Sequence, residues 1–186
     1  MSTVSTPTEF NGVPVEKLRG TIAKMGSNPD LAAFEFTARS TWVEGTAAQS
    51  TIHEWYGAGS DQLHASEFTA TSDHPTLGHG HGPTPQEFVL HALAGCISAG
   101  VATTAANRGI NLTKINSTVR GQIDVRGVLG IDADIRNGFS HIDVAVDVQG
   151  DASRADLDAL IAASAKRSAV FDMLANPTSV NVRPTA

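Results

Sequence analysis

The sequence predicts an α+β domain in which mainly antiparallel strands pack with one long helix. Three observations predict this class. The segment from Ala33 to Thr71 is rich in β-forming residues, the run from Pro85 to Arg108 has helical character, and residues 142 to 148 carry a β-branched apolar residue at every second position. The 186 residues are enough for one core, so we predict a tail with a short helix over residues 1 to 30 and a single domain over 31 to 186.

The N-terminal part is predicted to contain a loose tail, a short helix and three strands. Residues 1 to 10 resemble a tail, and apolar residues at helical spacing predict an amphipathic helix from Val13 to Met25, ended by Gly26. After a turn, three antiparallel strands are expected at about 33 to 43, 48 to 56 and 63 to 71.

The long helix is predicted to begin at Pro85, with Thr84 as its cap, and to end at Gly109 with Arg108 in its last turn. Its middle carries little side-chain bulk. Gly95 and Gly100 each cost about 1 kcal/mol of helix propensity relative to alanine. We therefore expect them to allow a close approach of another backbone.

The C-terminal part is predicted to hold two strands, a helix and a last strand. Alternating residues place strands at 115 to 125 and 142 to 148, with a turn or short helix at 127 to 136. Ser153 caps a second helix that ends at Asn176-Pro177, and Val180 and Val182 indicate a short final strand. The inner stripe expected for this helix consists of Leu157, Leu160, Ile161, Ser164, Ser168 and Phe171.

Composition limits the function and the compartment. A net charge of -6 without runs of Lys or Arg argues against nucleic-acid binding. One cysteine cannot form an intrachain disulfide, and the polar N-terminus is unlike a signal peptide, so a reducing cytoplasm is expected. Residues 88 to 106 have the length of a membrane span, but the polar residues among them favour a buried helix, and no membrane association is expected.

Cys96 is the first candidate for chemistry, and two interpretations are open. A free cysteine on the core-facing stripe of a helix usually packs as a small hydrophobe. A reactive thiol needs a lowered pKa, and Cys96 lies too deep in its helix to benefit from the helix dipole, so other segments must supply the stabilisation. Glu87 lies on the far side of the helical wheel from Cys96, where it can serve the first turn or pair with His91.

The histidines support other chemistries less well. His74, His79 and His81 share one Gly-rich loop, but without further ligands nearby a solvated loop is favoured and no metal or cofactor is expected. No Gly-x-Ser-x-Gly segment is present. A hydrolase that pairs Cys96 with His53, His64 or His91 stays open as a further alternative, although the sequence contains no defined triad spacing.

Several segments together resemble the OsmC/Ohr family. The segment from Gly82 to Cys96, which reads Gly-Pro-Thr-Pro-Gln-Glu-Phe-Val-Leu-His-Ala-Leu-Ala-Gly-Cys, is similar to the one that carries the first cysteine of that family. Similar segments follow in the same order, at 106 to 112, at Gly138-Phe139 with the next strand, at 150 to 152 and at 166 to 177. The resemblance covers roughly residues 32 to 184.

The resemblance implies a fold and an activity. The fold would be an intertwined homodimer with long helices at its centre and antiparallel sheets wrapped around them. The activity would be reduction of organic hydroperoxides, in which the first cysteine becomes a sulfenic acid and a second cysteine resolves it as a disulfide. An Arg and a Glu would hold the first cysteine as thiolate. In this chain Cys96 matches the first cysteine. Glu87 fits a branch of the family that reads Gly-Pro-x-Pro-x-Glu, whereas many members carry the acid at the position of Gln86. The family's arginine comes from the N-terminal sheet region, where Arg39 is the one arginine between residues 20 and 107.

The chain departs from the family where the second cysteine is expected, because Ser168 stands there. The sequence therefore indicates an OsmC-like branch that lacks this cysteine. The leading hypothesis is a homodimeric stress-related protein with Cys96 as a one-cysteine peroxidatic thiol, a small hydroperoxide as substrate and an external thiol as reductant. The alternative is a protein without redox function that binds a small apolar ligand at the dimer interface.

Overall fold

The computed structural model describes residues 9 to 185, and its helices and antiparallel sheets form an α+β fold, as predicted. The elements in chain order are β1 Glu9–Phe10, β2 Val13–Pro14, α1 Val15–Ser27, a 3-10 turn Pro29–Ala32, β3 Glu35–Phe36, β4 Arg39–Glu44, β5 Ala47–Gly57, β6 Ser60–Ser72, α2 Pro85–Arg108, β7 Leu112–Gln122, α3 Val125–Val128, β8 His141–Gly150, α4 Arg154–Arg167 and α5 Ala169–Ala175.

Contacts divide the chain into two compact units. The sheet unit is Pro14–Val89, and the helical unit consists of residues 90 to 185 together with residues 9 to 13. These two units do not test the predicted single domain over residues 31 to 186, which stays a prediction.

The N-terminal tail predicted for residues 1 to 10 lies outside the described residues as far as residue 8. Glu9–Phe10 and Val13–Pro14 form a small hairpin. Its turn residues Asn11 and Gly12 have φ values of 55° and 73°, as a tight two-residue hairpin turn requires. The predicted first helix is confirmed as α1, although it runs through Gly26 and ends at Ser27.

In the sheet unit, β5 is the central strand and all pairing is antiparallel. The second and third predicted strands are confirmed as β5 and β6, but the first is two separate strands, β3 and β4. The register of β5 against β6 shifts between Ile52 and Glu54. On its other edge β5 pairs with β4 up to Thr51 and with β3 from Trp55, so the irregular stretch separates the two short strands.

In the helical unit, α2 has the predicted bounds Pro85–Arg108. Gly109, at φ 70°, ends it: the N–H of Gly109 bonds to the carbonyl of Ala106, and that of Ile110 bonds to the carbonyl of Ala105. This pair of bonds is a Schellman motif, which places a glycine in the left-handed conformation just beyond the helix. The two predicted strands are confirmed as β7 and β8, which pair antiparallel with a register shift between Leu112 and Lys114. Val125, predicted as the last residue of the first of them, lies in α3 instead.

The core of the helical unit lies between α2, α4 and β8. By length and composition α2 could cross a membrane, but its buried side chains pack with those of the other two elements, as in the core helix of a soluble domain. The buried cluster consists of Leu93, Ile97, Val101, Ala105, Val148, Leu157 and Leu160.

Two predictions for the C-terminal part are wrong. The second helix is not continuous, because it breaks at Ser168 into α4 and α5, and Phe171 is exposed rather than on an inner stripe. The final strand is absent from the described residues: Val180 and Val182 are unpaired, and Val182 is 90% exposed. A strand needs a neighbour to accept its backbone hydrogen bonds, and alternation in sequence cannot supply one. The turn or short helix predicted at 127 to 136 is confirmed, with α3 at its start.

Candidate functional site: a thiol at the junction of two helices

Cys96 lies in the middle of α2, beside the side chains that form the core. Leu93, Ile97 and Val101 on the same stripe are buried, whereas Cys96 is only partly buried. The predicted core-facing stripe is therefore confirmed, with the thiol at its edge. A partly buried thiol can be reached by a small molecule and still be influenced by nearby groups.

A close crossing of α2 and α4 lies one helical turn from the thiol. A Cβ atom added to Gly100 would lie 3.1 Å from Cβ of Ser164 and 3.5 Å from its Cα. The expectation of a close backbone approach is thus confirmed at Gly100. At Gly95 an added Cβ would meet no atom of this chain within 4 Å, so there the close approach stays a prediction.

The crossing brings Cys96 and Ser168 together. Cys96 is four residues before Gly100, and Ser168 is four residues after Ser164. Residues four apart lie on the same face of a helix, so the contacts of Gly100 with Ser164 and of Cys96 with Ser168 lie one turn apart, and α2 and α4 run in opposite directions there. At that point α4 ends and the chain turns at Ser168, with φ −72° and ψ 118°, before α5 begins.

Ser168 is the N-cap of α5. Its hydroxyl oxygen accepts the N–H of Phe171 at 3.1 Å, and the residue is 4% exposed. The first N–H groups of a helix have no partner within the helix. Those of Ala169 and Val170 donate to the sulfur of Cys96, as does the Ser168 hydroxyl.

These hydrogen bonds determine the acidity of the thiol. Burial raises the pKa of Cys96, but the Ser168 hydroxyl and the N–H groups of Val170 and Ala169 lower it by more, so that the pKa falls below its ordinary value of 9.0. The thiolate is the nucleophilic form of cysteine. The segment after α4 thus supplies the stabilisation that α2 itself cannot give.

Glu87, a second predicted site residue, forms a capping box at the start of α2. The N–H and the hydroxyl of Thr84 donate to Oε2 of Glu87 at 2.7 and 2.9 Å, and the N–H of Glu87 donates to the Thr84 hydroxyl at 3.3 Å. These bonds, first of all the one from the Thr84 N–H, lower the pKa of Glu87. The predicted cap at Thr84 is confirmed, and the Glu87 carboxylate takes part in it.

Arg39, the third predicted site residue, lies in β4. Its guanidinium forms an ion pair with Oε2 of Glu54 on the neighbouring strand, at 2.7 Å. Both side chains are exposed, and exposed ion pairs contribute little to stability. The described partner of Arg39 therefore belongs to the sheet unit.

The loop that carries His74, His79 and His81 is organised by a residue that the sequence analysis did not single out. Asp73 is 1% exposed, and its carboxylate accepts the Thr46 hydroxyl at 2.7 Å and the N–H groups of these three histidines at 2.7, 3.0 and 3.1 Å. The Thr46 bond, with those backbone bonds, holds the pKa of Asp73 far below its usual range. An aspartate that opens a Gly-rich loop after a strand is the signal that could have indicated this role.

The histidine side chains do not assemble a metal site in the described part of the chain, where no group of three or more His, Cys, Asp or Glu side chains could hold an ion. The ring of His74 accepts N–H groups of its own loop, and the rings of His79 and His81 lie 5.4 Å apart. His64 packs against Phe68 within the sheet unit. The groups that lower the pKa of Cys96 include no histidine.

Similar solved structures share this fold. An OsmC-like protein from Mycoplasma pneumoniae has 20% identity and a TM-score of 0.59, over 77% of this chain and 89% of that one. A hypothetical protein from Aquifex aeolicus VF5 has 13% identity and a TM-score of 0.54, over the same shares. None of the curated proteins matches the sequence. At these identities the likeness is one of fold.

The sequence itself gives the family. The sequence model of the OsmC-like proteins matches residues 78–183, which is more than half of the chain. The matched region contains α2 with Cys96 as well as the junction at Ser168, and the chain holds a single cysteine. The protein therefore belongs to the OsmC-like family and carries a serine at the junction beside its one cysteine.

Proposed function

We propose that this protein is a thiol-dependent organic hydroperoxide reductase that uses Cys96 as its one reactive cysteine. The observation that carries the proposal is the environment of the thiol. Cys96 is partly buried and accepts hydrogen bonds from Ser168, Ala169 and Val170, which lower its pKa. A hydrogen-bonded thiolate within reach of small molecules is what attack on a peroxide requires.

The reaction begins with attack of the Cys96 thiolate on the terminal oxygen of the hydroperoxide. The S–O bond forms as the O–O bond breaks, and the leaving alkoxide takes up a proton to become the alcohol. Cys96 is left as a sulfenic acid. An external thiol condenses with it, releasing water and forming a mixed disulfide, and a second external thiolate then frees the Cys96 thiolate.

Glu87 and Arg39 enter the proposal as residues that tune the thiolate. The resemblance to the family motivates both assignments. Within the chain their described partners are Thr84 and Glu54. Replacement by the neutral residue of similar size, Glu87→Gln or Arg39→Gln, separates a contribution to peroxide reactivity from these structural contacts.

A homodimer is part of the same proposal, in the reducing cytoplasm that a single cysteine favours. One face of α2 consists of exposed small residues, among them Ala92, Gly95 and Ala99. Large apolar side chains of the sheet unit and of the C-terminal segment are also exposed, including Trp42 and Val182. A second copy would cover such surfaces.

The test of the activity uses cumene hydroperoxide. One equivalent is added to the reduced protein, a sulfenic acid is trapped with dimedone, and intact mass is recorded for the wild type and for Cys96→Ser. We expect one dimedone adduct on the wild type and none on the variant. Turnover with an added dithiol should follow the same pattern. A wild-type protein that stays unmodified at micromolar peroxide would refute the proposal.

The second candidate function is binding of a small apolar ligand without redox chemistry. Ser168 favours it, because a serine cannot resolve a sulfenic acid as a disulfide. The Cys96→Ser variant distinguishes the two functions. Ligand binding predicts unchanged affinity in this variant, whereas the reductase predicts complete loss of turnover.

A further inference from the structure

We propose that Ser168 is a positioning residue of the Cys96 site. Because the Ser168 oxygen caps α5, its hydroxyl hydrogen is directed to the Cys96 sulfur and stabilises the thiolate by a hydrogen bond. This inference rests on the proposed function and deepens it. It concerns the residue at the place where the family resemblance expects a second thiol.

The direction of the hydrogen bond follows from the donors and acceptors at the junction. A serine hydroxyl has one hydrogen to donate and two lone pairs that accept. The N–H of Phe171 donates to the Ser168 oxygen at 3.1 Å, which occupies one lone pair. The residue is 4% exposed, and a buried hydroxyl donates its hydrogen to a protein partner rather than to water. The described partner for that hydrogen is the sulfur of Cys96.

The sulfur consequently faces donors. The N–H groups of Ala169 and Val170 also point at it, and backbone N–H groups cannot accept a proton in return. A thiol surrounded by donors is stabilised when it accepts, which means as a thiolate. The Ser168 hydroxyl therefore accepts a hydrogen bond from Phe171 and donates one to the Cys96 sulfur at the same time.

The helix crossing holds the two residues in place. The contact between Gly100 and Ser164, at 3.1 Å for an added Cβ, fixes α2 against α4 one turn away from the thiol. The Ser164 hydroxyl donates to the carbonyl of Leu160 at 2.7 Å, so it is engaged within its own helix. Ser164 and Ser168 are thus both buried near the crossing, but the Ser168 hydroxyl donates to the thiol whereas the Ser164 hydroxyl donates to its own helix.

This pair provides a matched experiment on the full-length protein. The rate of Cys96 alkylation by iodoacetamide is measured against pH for the wild type, Ser168→Ala, Ser168→Thr and Ser164→Ala. We expect Ser168→Ala to move the midpoint of the profile to higher pH and to slow alkylation at neutral pH roughly tenfold, because a charge-assisted hydrogen bond is lost. Ser168→Thr keeps the hydroxyl and should retain the wild-type midpoint. Ser164→Ala keeps the Cβ at the crossing and should also retain it.

An unchanged midpoint in Ser168→Ala, or an equal shift in Ser164→Ala, overturns the proposal. If Ser168→Ala does not fold, Ser168→Cys tests the same placement. Diamide should then link residues 96 and 168 within one chain, seen as a mass loss of about two hydrogens and as a peptide pair after digestion. Absence of that disulfide would contradict the placement. Neither readout uses a peroxide, so a failure of the reductase function would appear separately, as a lack of dimedone adduct.

Discussion

The two units of the chain differ in how they bury their apolar residues. In the helical unit, α2, α4 and β8 share a buried cluster that includes Val101, Val148 and Leu160. In the sheet unit, Val15 and Ala47 are buried, but large side chains on the strands, among them Trp42 and Phe68, are exposed. One unit thus completes a core within the chain, whereas the other presents a sheet whose apolar residues have no covering layer of their own.

This contrast between the two units indicates which of them stabilises the chain and which positions the thiol. Stable domains pack a sheet or helix against a second layer, and in the helical unit that condition is met. The thiol is placed by the part of the chain that contains this core, through the crossing of α2 and α4 and the junction at Ser168. For the sheet unit, the exposed apolar side chains on its strands support the proposed assembly with a second copy.

The largest effect is expected from a matched pair of leucines. Leu160 is 0% exposed in the core of the helical unit, whereas Leu63 on β6 is 65% exposed. Leu160→Ala should lower the free energy of unfolding by about 3 kcal/mol, since it removes buried methyl groups and leaves a cavity. Leu63→Ala should change the free energy of unfolding of the chain by less than about 0.5 kcal/mol.

Urea unfolding at low protein concentration measures both variants. Sedimentation velocity on Leu63→Ala then measures whether the variant still forms a dimer. A loss of dimer without a loss of folded protein would show that a second copy covers the sheet, and equal destabilisation by the two variants would contradict the contrast between the units.

A smaller effect is expected within α2 itself. Gly100→Val should cost about 1–3 kcal/mol, because the new side chain meets Ser164 on the neighbouring helix and overpacks the crossing. Gly95→Val places the same group where no atom lies within 4 Å, so it should leave the unfolding free energy of the chain nearly unchanged. If Gly95→Val destabilises the isolated chain as much as Gly100→Val, the described difference between the two faces of α2 is wrong.

The smallest effect concerns the loop of the sheet unit and depends on pH. The folded pKa of Asp73 lies far below its ordinary value of 3.8, so its carboxylate stabilises the folded state above about pH 4 and loses this contribution as pH falls towards the folded pKa. Asp73→Asn should therefore lower the urea midpoint at pH 7, and the gap to the wild type should narrow below about pH 4. Midpoints measured at several pH values check this. A gap that stays constant or widens in acid would contradict the assignment.

Local signals in the sequence were enough to predict most elements. Thr84 and Gly109 define the ends of α2 because capping depends on residues next to the helix. A period of two residues identified β7 and β8, since the strand period is a local property. The break of the first predicted strand into β3 and β4 was missed, because it depends on an irregular register in β5, a neighbouring strand.

The candidate site was predictable in part. Cys96 stood out as the one cysteine, and its position on the core stripe followed from helical spacing. The pattern also placed Ser168 on an inner stripe of a continuous helix, where it could not have capped anything. Ser168, Ala169 and Val170 approach the thiol only because α4 stops there, and the sequence around them contains no helix-breaking residue.

The sequence alone determined the family, the α+β class, the limits of α2 and the identity of its thiol, because each rests on a local pattern or on a single residue type. Only the tertiary structure decided what surrounds that thiol. Hydrogen bonds from Ser168 and the two residues after it lower the pKa of Cys96 across a helix crossing, and contacts between residues so far apart in the chain follow from packing, which no local period encodes. The same holds for Asp73, which is an ordinary loop residue in the sequence and a buried, fully bonded carboxylate in the fold.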